Sequence, residues 1–108
     1  MHKDKKMVVL WSNAPDKLTA ETIARALVEQ HLVACVHIFP AGTSIYRWEG
    51  TMHQGEEWTM MAKTRRKKAK KAVKELLKAH PYDVPEILIT PIIGGLKDYL
   101  SWVKRETH

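Results

Sequence analysis

Residues 7–12, Met-Val-Val-Leu-Trp-Ser, form a short and almost unbroken apolar run, the pattern of a buried central strand. Turn chemistry follows at Asn13-Ala14-Pro15-Asp16, where Asp16 or Thr19 can accept from the free N–H groups that open a helix. Ala20, Ile23, Ala24, Leu27, Val28 and His31 then recur every three or four positions, which predicts one apolar helix face over about 16–31. Residues 32–39 are apolar and rich in strand formers until Pro40, which cannot donate to a ladder; Pro40-Ala41-Gly42 therefore reads as a bulge or an edge position. The strand resumes over 43–48, turns at Glu49-Gly50, and returns over about 51–64 with a possible kink site at Gly55. A second helix over 66–79 carries Ala69, Ala72, Val73, Leu76 and Leu77 on its apolar face. His80-Pro81-Tyr82-Asp83-Val84-Pro85 ends it in an extended turn. A last strand over 86–93 contains Pro91 and so belongs at an edge or ends there. Gly94-Gly95 breaks the chain, and a short helix follows with Leu96, Tyr99, Leu100, Trp102 and Val103 inward.

The order β-α-β-β-α-β plus a terminal helix is the ferredoxin-like arrangement of the α+β class, two helices on one face of an antiparallel sheet. With 108 residues the chain makes one domain, 1–108, with 1–6 as a flexible lead. The central hairpin departs from the ordinary. Arms of about 16 and 14 residues compare with a usual five or six. At roughly 3.3 Å per residue each arm exceeds about 40 Å, whereas a domain of this length has a radius of gyration near 13 Å. The hairpin must either bend at Pro40 and Gly55 or project, carrying Ile45, Tyr46, Trp48, Met52 and Trp58 with it. A projecting hairpin with exposed aromatics and open edges is marginal and sticky, and covering it with another subunit is the simplest remedy.

Composition changes this picture little. The apolar stretch after the charged N-terminus is too short for a secretory signal or a membrane span, which points to a cytoplasmic protein. One cysteine, Cys35, excludes an intrachain disulfide and a multi-cysteine metal site; in its apolar strand it reads as a buried structural thiol. The net charge of +6 comes from one segment: Arg65, Arg66, Lys67, Lys68, Lys70, Lys71 and Lys74 contain no acid, and without those seven the remainder carries −1. Most of them fall on the polar side of the second helix, a solvated face. The strand corresponding to the reading strand of RNA-recognition domains is Glu57-Trp58-Thr59-Met60-Met61-Ala62-Lys63, which lacks the Gly- and aromatic-rich motif. Nucleic acid is accordingly not an expected partner. No nucleophile–base pair stands out, and Gly94-Gly95 lacks the rest of a phosphate loop, so no enzyme activity and no organic cofactor are expected.

The segments Ala34-Cys35-Val36 with Pro40, Thr43-Ser44-Ile45-Tyr46-Arg47-Trp48-Glu49-Gly50, Lys63-Thr64, His80-Pro81-Tyr82-Asp83-Val84-Pro85-Glu86, and Tyr99-Leu100-x-Trp102 occur in order along nearly the whole chain. Together they resemble the CutA family, the divalent-cation tolerance proteins. The resemblance implies a ferredoxin-like homotrimer built from the long hairpins, a cytoplasmic location, and an association with copper and other divalent cations. Some members carry a Cys where Ser12 stands and a second His where Ala79 stands, which leaves His80 and Glu86 as the matched metal-ligand candidates. An imidazole and a carboxylate suit Cu(II) or Zn(II), but two ligands are not a site, so a trimer would supply the rest. His80 can equally cap its helix, where a hydrogen-bonding side chain suits the dipole. Tyr46, Trp48, Lys63 and Tyr82 are candidates for an intersubunit pocket or for the interface itself, both of which favour aromatics. Two other functions fit the same architecture: a trimeric sensor of the PII type, with a metabolite or nucleotide between subunits, and a structural trimer with no ligand.

Overall fold

The computed structural model describes all residues, 1–108. The chain order is β1 (His2–Lys3), β2 (Met7–Ala14), α1 (Lys17–Glu29), β3 (Cys35–Ile38), β4 (Gly42–Trp48), β5 (Thr51–Arg65), α2 (Arg66–Ala79), β6 (Ile87–Pro91), β7 (Gly94–Gly95) and α3 (Lys97–Glu106). The main sheet runs β3-β5-β2-β6, entirely antiparallel, and β4 extends it by pairing with the first half of β5. This is the expected α+β order, with β6 at an edge and ending on Pro91.

Alternation along the strands decides which face is covered. On β2, Val8, Leu10, Ser12 and Ala14 are buried; on β5, Met60, Ala62 and Thr64 are. Of these, Leu10, Ala14, Met60 and Ala62 meet Ala20, Ile23 and Leu27 of α1 and Ala72 and Leu76 of α2 in one core. Val28 and Leu77, expected on the apolar faces of α1 and α2, are exposed, so each helix buries a narrower stripe than its spacing suggested. Asp16 caps α1: its Oδ1 accepts from the Thr19 N–H at 2.7 Å. The other sheet face is covered only at one end, where Leu100 and Val103 of α3 pack on Met7 and Ala34. Val9, Trp11 and Asn13 on β2 are therefore half-buried rather than enclosed. Leu96 and Tyr99, expected inward, are 74% and 42% exposed, because α3 presses only one narrow side against the sheet.

The long hairpin resolves into two arms of different build. β5 is continuous for 15 residues and passes through Gly55 unbroken. Its partner arm breaks at Phe39-Pro40-Ala41. Ile38 pairs with Met60 and Gly42 with Glu57, so three residues on one arm face two on the other, a bulge of the kind expected at Pro40. Fifteen strand residues span about 50 Å, close to the 45 Å long axis of the molecule, and the radius of gyration is 14.6 Å. The hairpin projects rather than folding back. Its tip is a two-residue turn with positive φ at both Glu49 (49°) and Gly50 (79°), the type I′ pattern that matches strand twist.

Residues 1–6, expected as a flexible lead, contain β1, which pairs with β7 through His2↔Gly95 and Lys3↔Gly94. Gly94 is needed there for space: a Cβ would run into the His2 carbonyl oxygen. The Gly-Gly pair thus permits a close backbone approach where a simple chain break was expected.

Candidate functional site

The register of the hairpin places Ser44, Tyr46 and Trp48 on one face of β4, beside His53 and Glu57 on β5. The extended turn after α2 brings Tyr82, Asp83, Val84 and Glu86 opposite them. Between hairpin and turn lies a groove of about 560 Å³, with Asn13 also in its lining. One wall is aromatic, with Tyr46 stacked on His53 at 5.5 Å between centroids. The opposite wall carries two carboxylates, Asp83 and Glu86, and Glu57 is a third from the hairpin side. No lysine or arginine lines the groove, although the chain holds 18 of them. Burial pushes the Tyr82 phenol above its ordinary pKa, and negative charge at Glu57 pushes the same way, followed by Tyr46 and Asp16.

The turn is anchored behind the groove by His80. Its Nε2 lies 2.6 Å from the Asn13 carbonyl oxygen, and its Nδ1 accepts from the Tyr82 N–H at 3.1 Å. The imidazole is therefore the neutral Nε2–H tautomer, with both nitrogens engaged by backbone. It is buried and stands outside the groove lining. Its backbone also closes α2, with its N–H donating to Leu76 O. Glu86 is held differently: Ser12 Oγ–H donates to its backbone carbonyl at 2.7 Å, while its carboxylate side lines the groove and makes no salt bridge.

The four residues named for a pocket do not all meet. Tyr46, Trp48 and Tyr82 line the groove, but Lys63 lies six residues beyond Glu57 on β5, paired with Val9 and Cys35. Cys35 is half-buried, with its Sγ 3.7 Å from the Tyr99 hydroxyl. It was expected to be buried; it is not, because it lies on the sheet face that only α3 covers. His80 and Glu86 are separated in role, one engaged by backbone and one facing the groove. Nowhere does the chain bring three or more His, Cys, Asp or Glu side chains together as a metal cage. Sequence reasoning missed His53, Glu57 and Asp83. The signal for the first two was available: a two-residue turn at Glu49-Gly50 sets Tyr46 against His53 and Gly42 against Glu57.

Known proteins resemble the chain over almost its full length. The family model for the CutA1 divalent ion tolerance protein matches residues 8–106. The divalent-cation tolerance protein CutA of Thermus thermophilus is 45% identical over 100 residues, covering 92% of this chain and 96% of that one. The crystal structure of CutA from Xylella fastidiosa superposes with a TM-score of 0.93 at 34% identity, covering 95% of this chain and 99% of its own. The structure of CutA from Archaeoglobus fulgidus, described as a periplasmic divalent cation tolerance protein, gives 0.92 at 35% identity and covers 94% and 99%.

Proposed function

Because the chain belongs to the CutA1 divalent ion tolerance family, we propose that it works as a homotrimer that takes up copper or another divalent cation, at modest affinity, in the clefts between subunits. One observation carries the cation reading. In a chain of net charge +6, the groove between the hairpin and the 82–86 turn gathers three carboxylates, and no lysine or arginine lines it. Such a groove attracts cations and repels anions. The missing three-ligand cage within one chain is the reason for modest affinity and for donors drawn from more than one subunit. Glu86 is the leading ligand. His80 could join only by releasing Asn13 or Tyr82.

The trimer reading is supported by what one chain leaves uncovered. Ile45 and Met52 on the hairpin are each 65% exposed, and Leu88, Ile93 and Leu96 are exposed too. Apolar surface of this extent marks a protein interface. No helix is long and apolar enough to cross a membrane, and the relatives carry the names of tolerance proteins, not of enzymes. The cytoplasmic setting belongs to the same reading, although the Archaeoglobus fulgidus relative is described as periplasmic.

Calorimetric titration with copper, beside a Glu86→Ala variant and a His80→Ala, Glu86→Ala variant, tests the site. We expect weak binding by the native protein and a clear loss with Glu86→Ala alone. No binding, or equal binding by all three, would sink the assignment.

A further inference from the structure

The groove has a feature that a site for metal ions alone would not need. Three aromatic rings, Tyr46, Trp48 and Tyr82, face it, and the two on the hairpin remain 49% exposed. Tyr46 and Trp48 are two positions apart on β4 and share a face. Tyr82 comes from the other wall with Asp83 and Glu86. Ring faces carry negative quadrupole density, and carboxylates carry full charge; a cation held between them gains from both. A hydrated metal ion uses the carboxylates but gains little from the rings. An organic ammonium, weakly hydrated and with an apolar body, uses both walls. The volume of about 560 Å³ suits such a molecule, being in the range of ordinary small-ligand clefts.

We propose that the groove between the hairpin and the 82–86 turn binds organic ammonium cations, held by cation–π contact with Tyr46, Trp48 and Tyr82 and by the carboxylates of Glu57, Asp83 and Glu86. This extends the cation-groove reading above to a second ligand class. Within one chain no lysine or arginine lines the groove to meet a phosphate, so ATP serves as the anionic control. Burial is the main cause of the raised Tyr82 pKa, and the charge of Glu57 adds to it in the same direction.

The test is calorimetric titration of the native protein, with a chelator present throughout, using choline, its neutral isostere 3,3-dimethylbutan-1-ol, and ATP. Choline should bind about tenfold tighter than the neutral alcohol, the scale of a cation–π and carboxylate contribution. Glu57→Gln should remove most of that difference and Trp48→Leu should weaken choline, with unchanged circular dichroism in both. ATP should give no binding. Equal binding of choline and the alcohol, no binding of choline, indifference to Glu57→Gln, or ATP binding that Trp48→Leu abolishes would each overturn the proposal. Because metal is chelated, a negative copper titration leaves this result standing, and the reverse holds too.

Discussion

The imidazole of His80 spends both nitrogens on backbone, one on Asn13 and one on Tyr82, and so ties the end of β2 to the turn that forms one groove wall. Removing it leaves two polar groups unpaired beside the core. His80→Ala should cost about 1–3 kcal/mol in urea unfolding, whether or not metal is present. A loss confined to the metal-loaded protein would instead make His80 a ligand. Leu76 is 1% exposed in the core beneath both helices. Leu76→Ala should cost about 2–5 kcal/mol by lost burial and cavity formation. Tyr99 titrates late: burial first, then its bond to Cys35 and the charge there, push its pKa up to about 12. Its unfolded counterpart loses the proton near pH 10. Between those values the unfolded chain binds fewer protons, so stability falls as pH rises from about 10 to 12. The melting temperature should drop over that window, and Tyr99→Phe should flatten the drop.

At the scale of elements, α2 shows how local rules yield to packing. Its first turn holds Arg66, Lys67 and Lys68 with no acid and no side-chain cap, against the positive end of the helix dipole. Burial and then the neighbouring Lys71, Arg65 and Lys67 hold the Lys68 amine below its ordinary pKa. Lys67→Glu should therefore stabilise by about 0.3–1 kcal/mol at low salt, and less at high salt, in thermal unfolding. The hairpin tip is also improvable: Glu49 sits at φ 49°, a region that asparagine tolerates better, so Glu49→Asn should raise the melting temperature. Gly94→Ala should unpair β1 from β7, visible as faster amide exchange at Asp4, whose N–H donates to Ile93 O at 3.1 Å.

These elements also show what was legible beforehand. The 3.6 periodicity placed α1 and α2, the continuous apolar run placed β2, the Glu49-Gly50 turn placed β5, and proline's missing donor placed the break at Pro40. The pair β1–β7 was not legible, since two residues per strand carry no period. The inward face of α3 was misread at Leu96 and Tyr99, because apolar spacing cannot tell a face packed on its own sheet from one left exposed. The groove was half legible. Tyr46, Trp48, Tyr82 and Glu86 belonged to recognisable segments, whereas Glu57 and Asp83 mattered only once hairpin and turn faced each other across space. Within one chain Lys63 stands apart from the groove, paired with Val9 and Cys35 on β5.

For the whole molecule, shape and surface point the same way. A 45 Å long axis on a 12.4 kDa chain reflects one strand that runs past its own core. The projecting part buries little by itself, and an isolated two-stranded ribbon is marginal in water. Its apolar side chains, Ile45 and Met52, are stable in solution only if something covers them. Met52→Glu should therefore weaken assembly while leaving the far-ultraviolet circular dichroism of the fold unchanged. The cation groove lies on the same hairpin, so assembly and ligand binding should be thermodynamically linked: a ligand that binds only the assembled form stabilises it, and its binding weakens on dilution. The most direct test of the central claim is static light scattering on the native protein at micromolar concentration. A particle of three times the 12.4 kDa chain mass is the expected result; a particle of one chain mass would contradict the account.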